Sequence, residues 1–106
     1  MALHHGVNAL LVDDDMRTNQ AHLARLEADG YAVALVTDPV VALALIEEVH
    51  PSVVFVGLTR EVASLEFLHG LKSSRLSQHV PVVILAAYLA TPQRGAQLRP
   101  VQREGW

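Results

Sequence analysis

Four short apolar runs, residues 9–12, 31–36, 53–56 and 80–85, are separated by segments long enough to form helices. The runs are apolar at nearly every position instead of alternating, which is how strands read when both faces of their sheet are covered. Between the first two runs, Met16, Asn19, Leu23 and Leu26 recur at helical spacing, and Asp29-Gly30 supplies a helix stop. Asp38-Pro39 is a helix start, with Asp able to cap free N–H groups and Pro placed where no N–H is needed. It precedes a helix over 40–49 that is closed by His50-Pro51, and Leu65, Leu68 and Leu71 mark a third helix ending near Ser73. The order β-α-β-α-β-α-β predicts an α/β domain, a parallel sheet with helices on both faces.

A chain of 106 residues, 51% hydrophobic and 18% charged, has the material for one small core and is not a disordered polymer. Its net charge of −3 offers no footprint for nucleic acid. The charge is uneven. Residues 1–90 carry five basic and ten acidic side chains, whereas residues 91–106 carry three arginines and one glutamate. This divides the chain into a domain over 1–90 and a polar, basic tail over 91–106, with room for one short helix or a segment exchanged between copies. Cysteine is absent, so there is no disulfide framework and no thiolate chemistry. No apolar run approaches the roughly 20 residues of a membrane span. The N-terminus does not read as a signal peptide, and a cytoplasmic location is the expectation.

The first run ends in Asp13-Asp14-Asp15. Carboxylates at the end of a buried strand are costly unless paired, hydrogen-bonded or bound to a cation. Two readings stand at this point: a residual cation site, or an acidic edge in which Asp15 caps the following helix.

Over about residues 9–87 the chain resembles the receiver domain of two-component response regulators. The resemblance rests on an ordered set: Leu11-Val12-Asp13-Asp14-Asp15, Leu26-Glu27-Ala28-Asp29-Gly30-Tyr31, Asp38 with Ala42-Leu43, Pro51 with Val53-Val54-Phe55-Val56, Leu65-Glu66-Phe67-Leu68, and Val80-Pro81-Val82-Val83-Ile84-Leu85. It implies a flavodoxin-like receiver fold, here truncated after the fourth strand. It also implies a pocket where the strand C-termini converge. There, two acids help hold Mg²⁺, an Asp ending the third strand accepts a phosphoryl group, a Ser or Thr ends the fourth strand, and a Lys ends a fifth.

Carried over by position, Asp13 and Asp14 match the acidic pair, the phosphoacceptor position is Gly57 and the hydroxyl position is Ala86. No lysine follows Lys72, and the next carboxylate after the acceptor position is Glu61. A glycine cannot be phosphorylated. The resemblance therefore implies a degenerate pseudo-receiver that needs no cofactor, with weak Mg²⁺ binding at Asp13 and Asp14 as the open alternative.

The function expected is a phosphorylation-independent signalling module of the two-component (phosphorelay) type, not an enzyme, acting through a protein partner. A same-fold alternative is a sensor retaining weak Mg²⁺ or small-molecule binding at Asp13 and Asp14. A different class is a phosphohydrolase of the haloacid dehalogenase type, to which Asp13-x-Asp15 is similar. That chemistry needs a later lysine and further acids, and no acid lies between Glu66 and Glu104. The six histidines lack ligand spacing and read as surface residues, with His50 and His79 in loops away from the acidic edge. The helix over 40–49 is apolar nearly all round, which fits either excess packing on the sheet or a partner. Without a fifth strand, Val80, Val82, Val83, Ile84 and Leu85 form a long apolar edge, a template for pairing. This predicts a homodimer built on that edge or on the tail, with no nucleic acid and no membrane partner.

Overall fold

The computed structural model describes residues 6–91. The expected tail, including Arg94, Arg99 and Arg103, lies outside the described residues apart from Thr91. In chain order the elements are β1 (Ala9–Asp13), α1 (Asn19–Ala28), β2 (Val33–Val36), α2 (Pro39–Val49), β3 (Val53–Gly57), α3 (Glu61–Ser73), β4 (Val82–Ile84) and α4 (Leu85–Leu89). The four strands form one parallel sheet in the order β2-β1-β3-β4. Every residue of β1 is buried, Asp13 included, because that strand is flanked by β2 and β3 and covered above and below.

Strand periodicity sorts the core into two layers. Leu10 and Val12 of β1 join Val54 and Val56 of β3 beneath α2 and α3, whose Ile46, Phe67 and Leu71 fill that side. Ala9, Leu11 and Phe55 face the opposite way, toward Leu26 of α1 and Leu85 of α4. Each fully buried Leu, Ile or Phe contributes about 1.5–3 kcal/mol relative to exposure, so these two layers carry most of the fold's stability. Phe55 is the centre of the second layer, with Tyr31 and Tyr88 packed edge-on at 5.2 and 5.1 Å between ring centroids.

Local chemistry sets the element ends. The Asp38 side chain accepts from the Val40 N–H at 2.9 Å, with Pro39 opening α2. Gly30 has φ of +104°, the left-handed turn needed after α1. His50 closes α2 in the same region at φ +54°. Gly70, within α3, gives up helix propensity for close approach: a Cβ there would lie 2.7 Å from Leu43 Cδ1 of α2.

Several expectations change. Met16, 73% exposed, lies in the turn before α1, and Leu65, 59% exposed, is off the inner face of α3. The α1 stripe is carried by Asn19, Leu23 and Leu26, and the α3 stripe by Phe67, Leu68 and Leu71. In α2, Ala42 and Ile46 are buried while Val40 and Val41 face solvent. The fourth run does not make a long edge. Val80 precedes the strand and packs against the α2/α3 layer, Pro81 lends its carbonyl to the Val54 N–H at 2.9 Å, and Leu85 already begins a helix. Only Val82, Val83 and Ile84 form strand in this run, and Leu85, the first residue of α4, is buried instead of lying on the edge.

Candidate functional site

In a parallel sheet all strands end on one side, so the last residues of β1, β3 and β4 meet there. Asp13 and Gly57 are paired directly in register. Around them lies a cleft of about 320 Å³ whose lining includes Asp13, Asp15, His22, Gly57, Thr59 and Leu85. This is the corner to which the resemblance assigns phosphoryl chemistry. Its groups are already committed to one another.

Asp13 is fully buried, and both carboxylate oxygens have protein partners. Oδ1 accepts from the Asp15 backbone N–H at 3.1 Å, and Oδ2 lies 2.6 Å from His22 Nδ1. A carboxylate only accepts, so His22 carries a proton on Nδ1 in this contact. His22 lies in the first turns of α1, which starts at the strand-end side, and is 25% exposed at its side chain. The pair ties α1 to the end of the central strand.

Asp14 turns toward the β3–α3 loop. Its Oδ1 accepts from the Thr59 N–H at 2.9 Å and its Oδ2 from the Thr59 hydroxyl at 3.3 Å. Asp15 turns the chain into α1. Its side chain accepts from the Arg17 N–H at 3.1 Å, while its carbonyl accepts from the N–H groups of Thr18 and Asn19. That Arg17 N–H bond is the main reason the Asp15 carboxyl is held below its ordinary value. Thr18 stands at the N-cap position of α1 but makes no side-chain cap hydrogen bond. The three carboxylates thus bind three segments of the chain.

At the acceptor position a Cβ on Gly57 would lie 2.7 Å from Leu85 Cδ2 and 3.3 Å from both Cγ and Oδ2 of Asp13. The end of the Leu85 side chain would have to shift to admit a side chain there. Ala86, the hydroxyl position, lies exposed in the first turn of α4. Glu61 opens α3 and is exposed, where its charge favours the positive helix end.

Leu85 is held in place by the far end of its own helix. The Tyr88 hydroxyl donates to Asp29 Oδ2 at 2.5 Å, the Tyr88 ring packs on Phe55, and the Arg25 guanidinium lies 5.2 Å from that ring. Arg25 also donates to Asp29 and to the Thr91 carbonyl, both at 3.0 Å. Burial, reinforced by the Asp29 carboxylate, pushes the Tyr88 phenol up to about 12, so it remains a donor at neutral pH.

Mg²⁺ wants several free oxygen ligands. The residues here do not fit that need: the oxygens of Asp13 and Asp14 are engaged, and the third strand ends in glycine. Among the described residues no group of three His, Cys, Asp or Glu side chains is placed to hold a metal ion.

His22 is the residue that the sequence reading missed. The signal was present: His22 is three residues after Asn19 and four before Leu26, on the inward stripe of α1. Counting only apolar residues on that stripe passes over it. His50 and His79 do lie at the opposite end, where they share a cleft of about 310 Å³ with Arg75.

No family model matches the chain. No curated protein matches it either. Among solved structures, a response regulator from Desulfuromonas acetoxidans is similar, with a TM-score of 0.60 and 17% identity. The match covers 72% of this chain and 63% of that one. The chain therefore spans less than two thirds of the length of the structure it matches. At that identity the likeness speaks to architecture, and it agrees with the strand order and two-sided helix cover found above: this chain has a flavodoxin-like, receiver-like fold.

Proposed function

We propose that this chain is a phosphorylation-independent, receiver-like signalling module that works by protein contact and is not an enzyme. The observation that carries the reading is Leu85 seated over Gly57, where a phosphoacceptor side chain would have to stand. Partner recognition then depends on a surface that is fixed or set by the partner, in a two-component type of pathway. No cofactor is required. A cytoplasmic setting fits, and no helix among the described residues is long and apolar enough to cross a membrane.

The phosphohydrolase alternative has Asp13 as its nucleophile, but that carboxylate is buried and engaged on both oxygens. The small-molecule alternative draws on the cleft beside Asp15 and His22. Among the described residues the buried side-chain polar atom without a partner, Thr18 Oγ1, is not part of that cleft's lining, and we do not favour this alternative.

Incubation with acetyl phosphate and Mg²⁺ tests the reading. Intact-mass spectra are expected to show the unmodified chain alone. A stable adduct of one phosphoryl group would overturn it.

A further inference from the structure

The cleft at the end opposite the acidic corner has a volume of about 310 Å³, at the lower end of the range of small-molecule sites. Its polar wall is made by Arg75, His50, His79 and Ser52, and no carboxylate lines it. Among the described residues the Arg75 guanidinium and both imidazoles have no hydrogen-bond or ion-pair partner. The cleft therefore presents a concentration of N–H donors that the fold itself does not use.

The helix ends do not account for these side chains. α2 and α3 both finish on this side, and cations near a helix C-terminus commonly bond its last carbonyls. Here those carbonyls are taken by other groups. The Ile46 carbonyl accepts from the His50 backbone N–H at 2.9 Å, the Leu71 carbonyl from the buried Ser77 hydroxyl at 2.8 Å, and the His69 carbonyl from the Ser73 hydroxyl at 2.7 Å. The acid of α2 that reaches the Arg75 loop, Glu47, accepts from the Ser74 hydroxyl. The loop is also preformed. The Leu76 N–H bonds the Ser74 hydroxyl at 3.2 Å, and the Val80 N–H bonds the Ser77 carbonyl at 3.1 Å.

His50 adds an independent observation. It is the one non-glycine among the described residues with positive φ, at φ +54° and ψ +60°. Glycine is the usual residue at such a helix end and adopts this conformation without strain. A histidine there costs backbone strain, and what it adds is an imidazole on the cleft wall. A metal ion does not suit the site, because a guanidinium shares the cleft and no three metal-binding side chains are grouped among the described residues.

We propose that this cleft binds a small organic phosphate, a phosphomonoester whose terminal oxygens accept from Arg75, His50 and His79. The arginine fork matches phosphate geometry, and three donor side chains suit a group with three acceptor oxygens better than a carboxylate with two. The apolar body of the ligand lies on Leu76 and Pro51, which line the same cleft, with Leu76 60% exposed. The site needs no covalent step and lies away from Gly57, so it stands apart from the phosphorylation-independent reading.

Amide spectra of the nitrogen-labelled full chain, titrated with phenyl phosphate, test the proposal. Inorganic phosphate and benzyl alcohol serve as the head and the body alone. Saturable shifts are expected at the Ser52, Leu76 and His79 amides in the millimolar range, with none at Asp15, Gly57 or Thr59. Phenyl phosphate is expected to bind more tightly than inorganic phosphate, and benzyl alcohol not to saturate. Arg75→Gln is expected to weaken binding about tenfold or more. His50→Gly separates a ligand-binding role from a structural one. It is expected to weaken binding while its denaturant midpoint stays level or rises, because glycine takes the left-handed conformation freely. A wild type without saturable shifts would overturn the proposal. So would wild-type affinity in Arg75→Gln or His50→Gly, shifts centred on the acidic corner, or inorganic phosphate or benzyl alcohol binding as tightly as phenyl phosphate.

Discussion

Gly57→Asp returns a carboxylate to the phosphoacceptor position, yet it is expected to lower stability by about 3 kcal/mol and to gain no phosphoryl group. Two costs combine. The new Cβ meets Leu85 Cδ2 at 2.7 Å, so the end of the buried Leu85 side chain must shift to admit it. The new charge also stands beside Asp13, whose own charge is already buried. Gly57→Ala separates the two, since it adds the steric conflict alone at about 1–2 kcal/mol. Leu85→Ala opens the space at about 2–4 kcal/mol for the lost packing. Because the residues touch, Gly57→Asp and Leu85→Ala together are expected to cost less than the sum of the two. Urea denaturation of the four chains and intact-mass spectra with acetyl phosphate provide the readout. A Gly57→Asp chain of wild-type stability that becomes phosphorylated would show that Leu85 is no obstacle.

His22→Leu is expected to cost about 3 kcal/mol, because it leaves a fully buried carboxylate with only the Asp15 N–H as partner. The double variant Asp13→Leu, His22→Leu should recover a large part of that loss, since removing both partners also removes the desolvated charge. Denaturant midpoints at neutral pH measure both. A loss of less than about 1 kcal/mol in His22→Leu would put the pair in the range of a solvated surface contact, and Asp13 would then have another partner.

The parts of this fold that could be read from sequence are those fixed by local chemistry. Residues 9–12 and 53–56 are apolar at every position, and they are the two strands with neighbours on both sides. Asp38-Pro39 and Gly30 do at their helix ends what their side chains predispose them to do. What was not legible depends on long-range packing. Leu85-Ala86-Ala87-Tyr88-Leu89 extends the fourth apolar run without a break, and no periodicity marks where strand gives way to helix. Tyr88 decides it by reaching Phe55 and Asp29, residues 33 and 59 positions earlier in the chain. The acidic corner was legible as to its members but not its state. Gly57 announces the lost nucleophile, but nothing in the sequence says that Leu85 fills its place or that His22 and Thr59 take up the carboxylates. The exposure of Leu65 likewise follows from the rotation of α3, which begins at Glu61, a turn earlier than its leucines indicate.

The central claim is that Asp13 and Asp14 hold the chain together and are not free to hold a cation. Amide spectra of a nitrogen-labelled chain, recorded as Mg²⁺ is raised into the millimolar range, test it most directly. The expected result is no saturable shift at Asp15, Gly57 or Thr59, with the Thr59 N–H still bonded to Asp14 and the His22 ring unmoved. Saturable shifts at those amides at micromolar Mg²⁺, with loss of the His22–Asp13 contact, would contradict it.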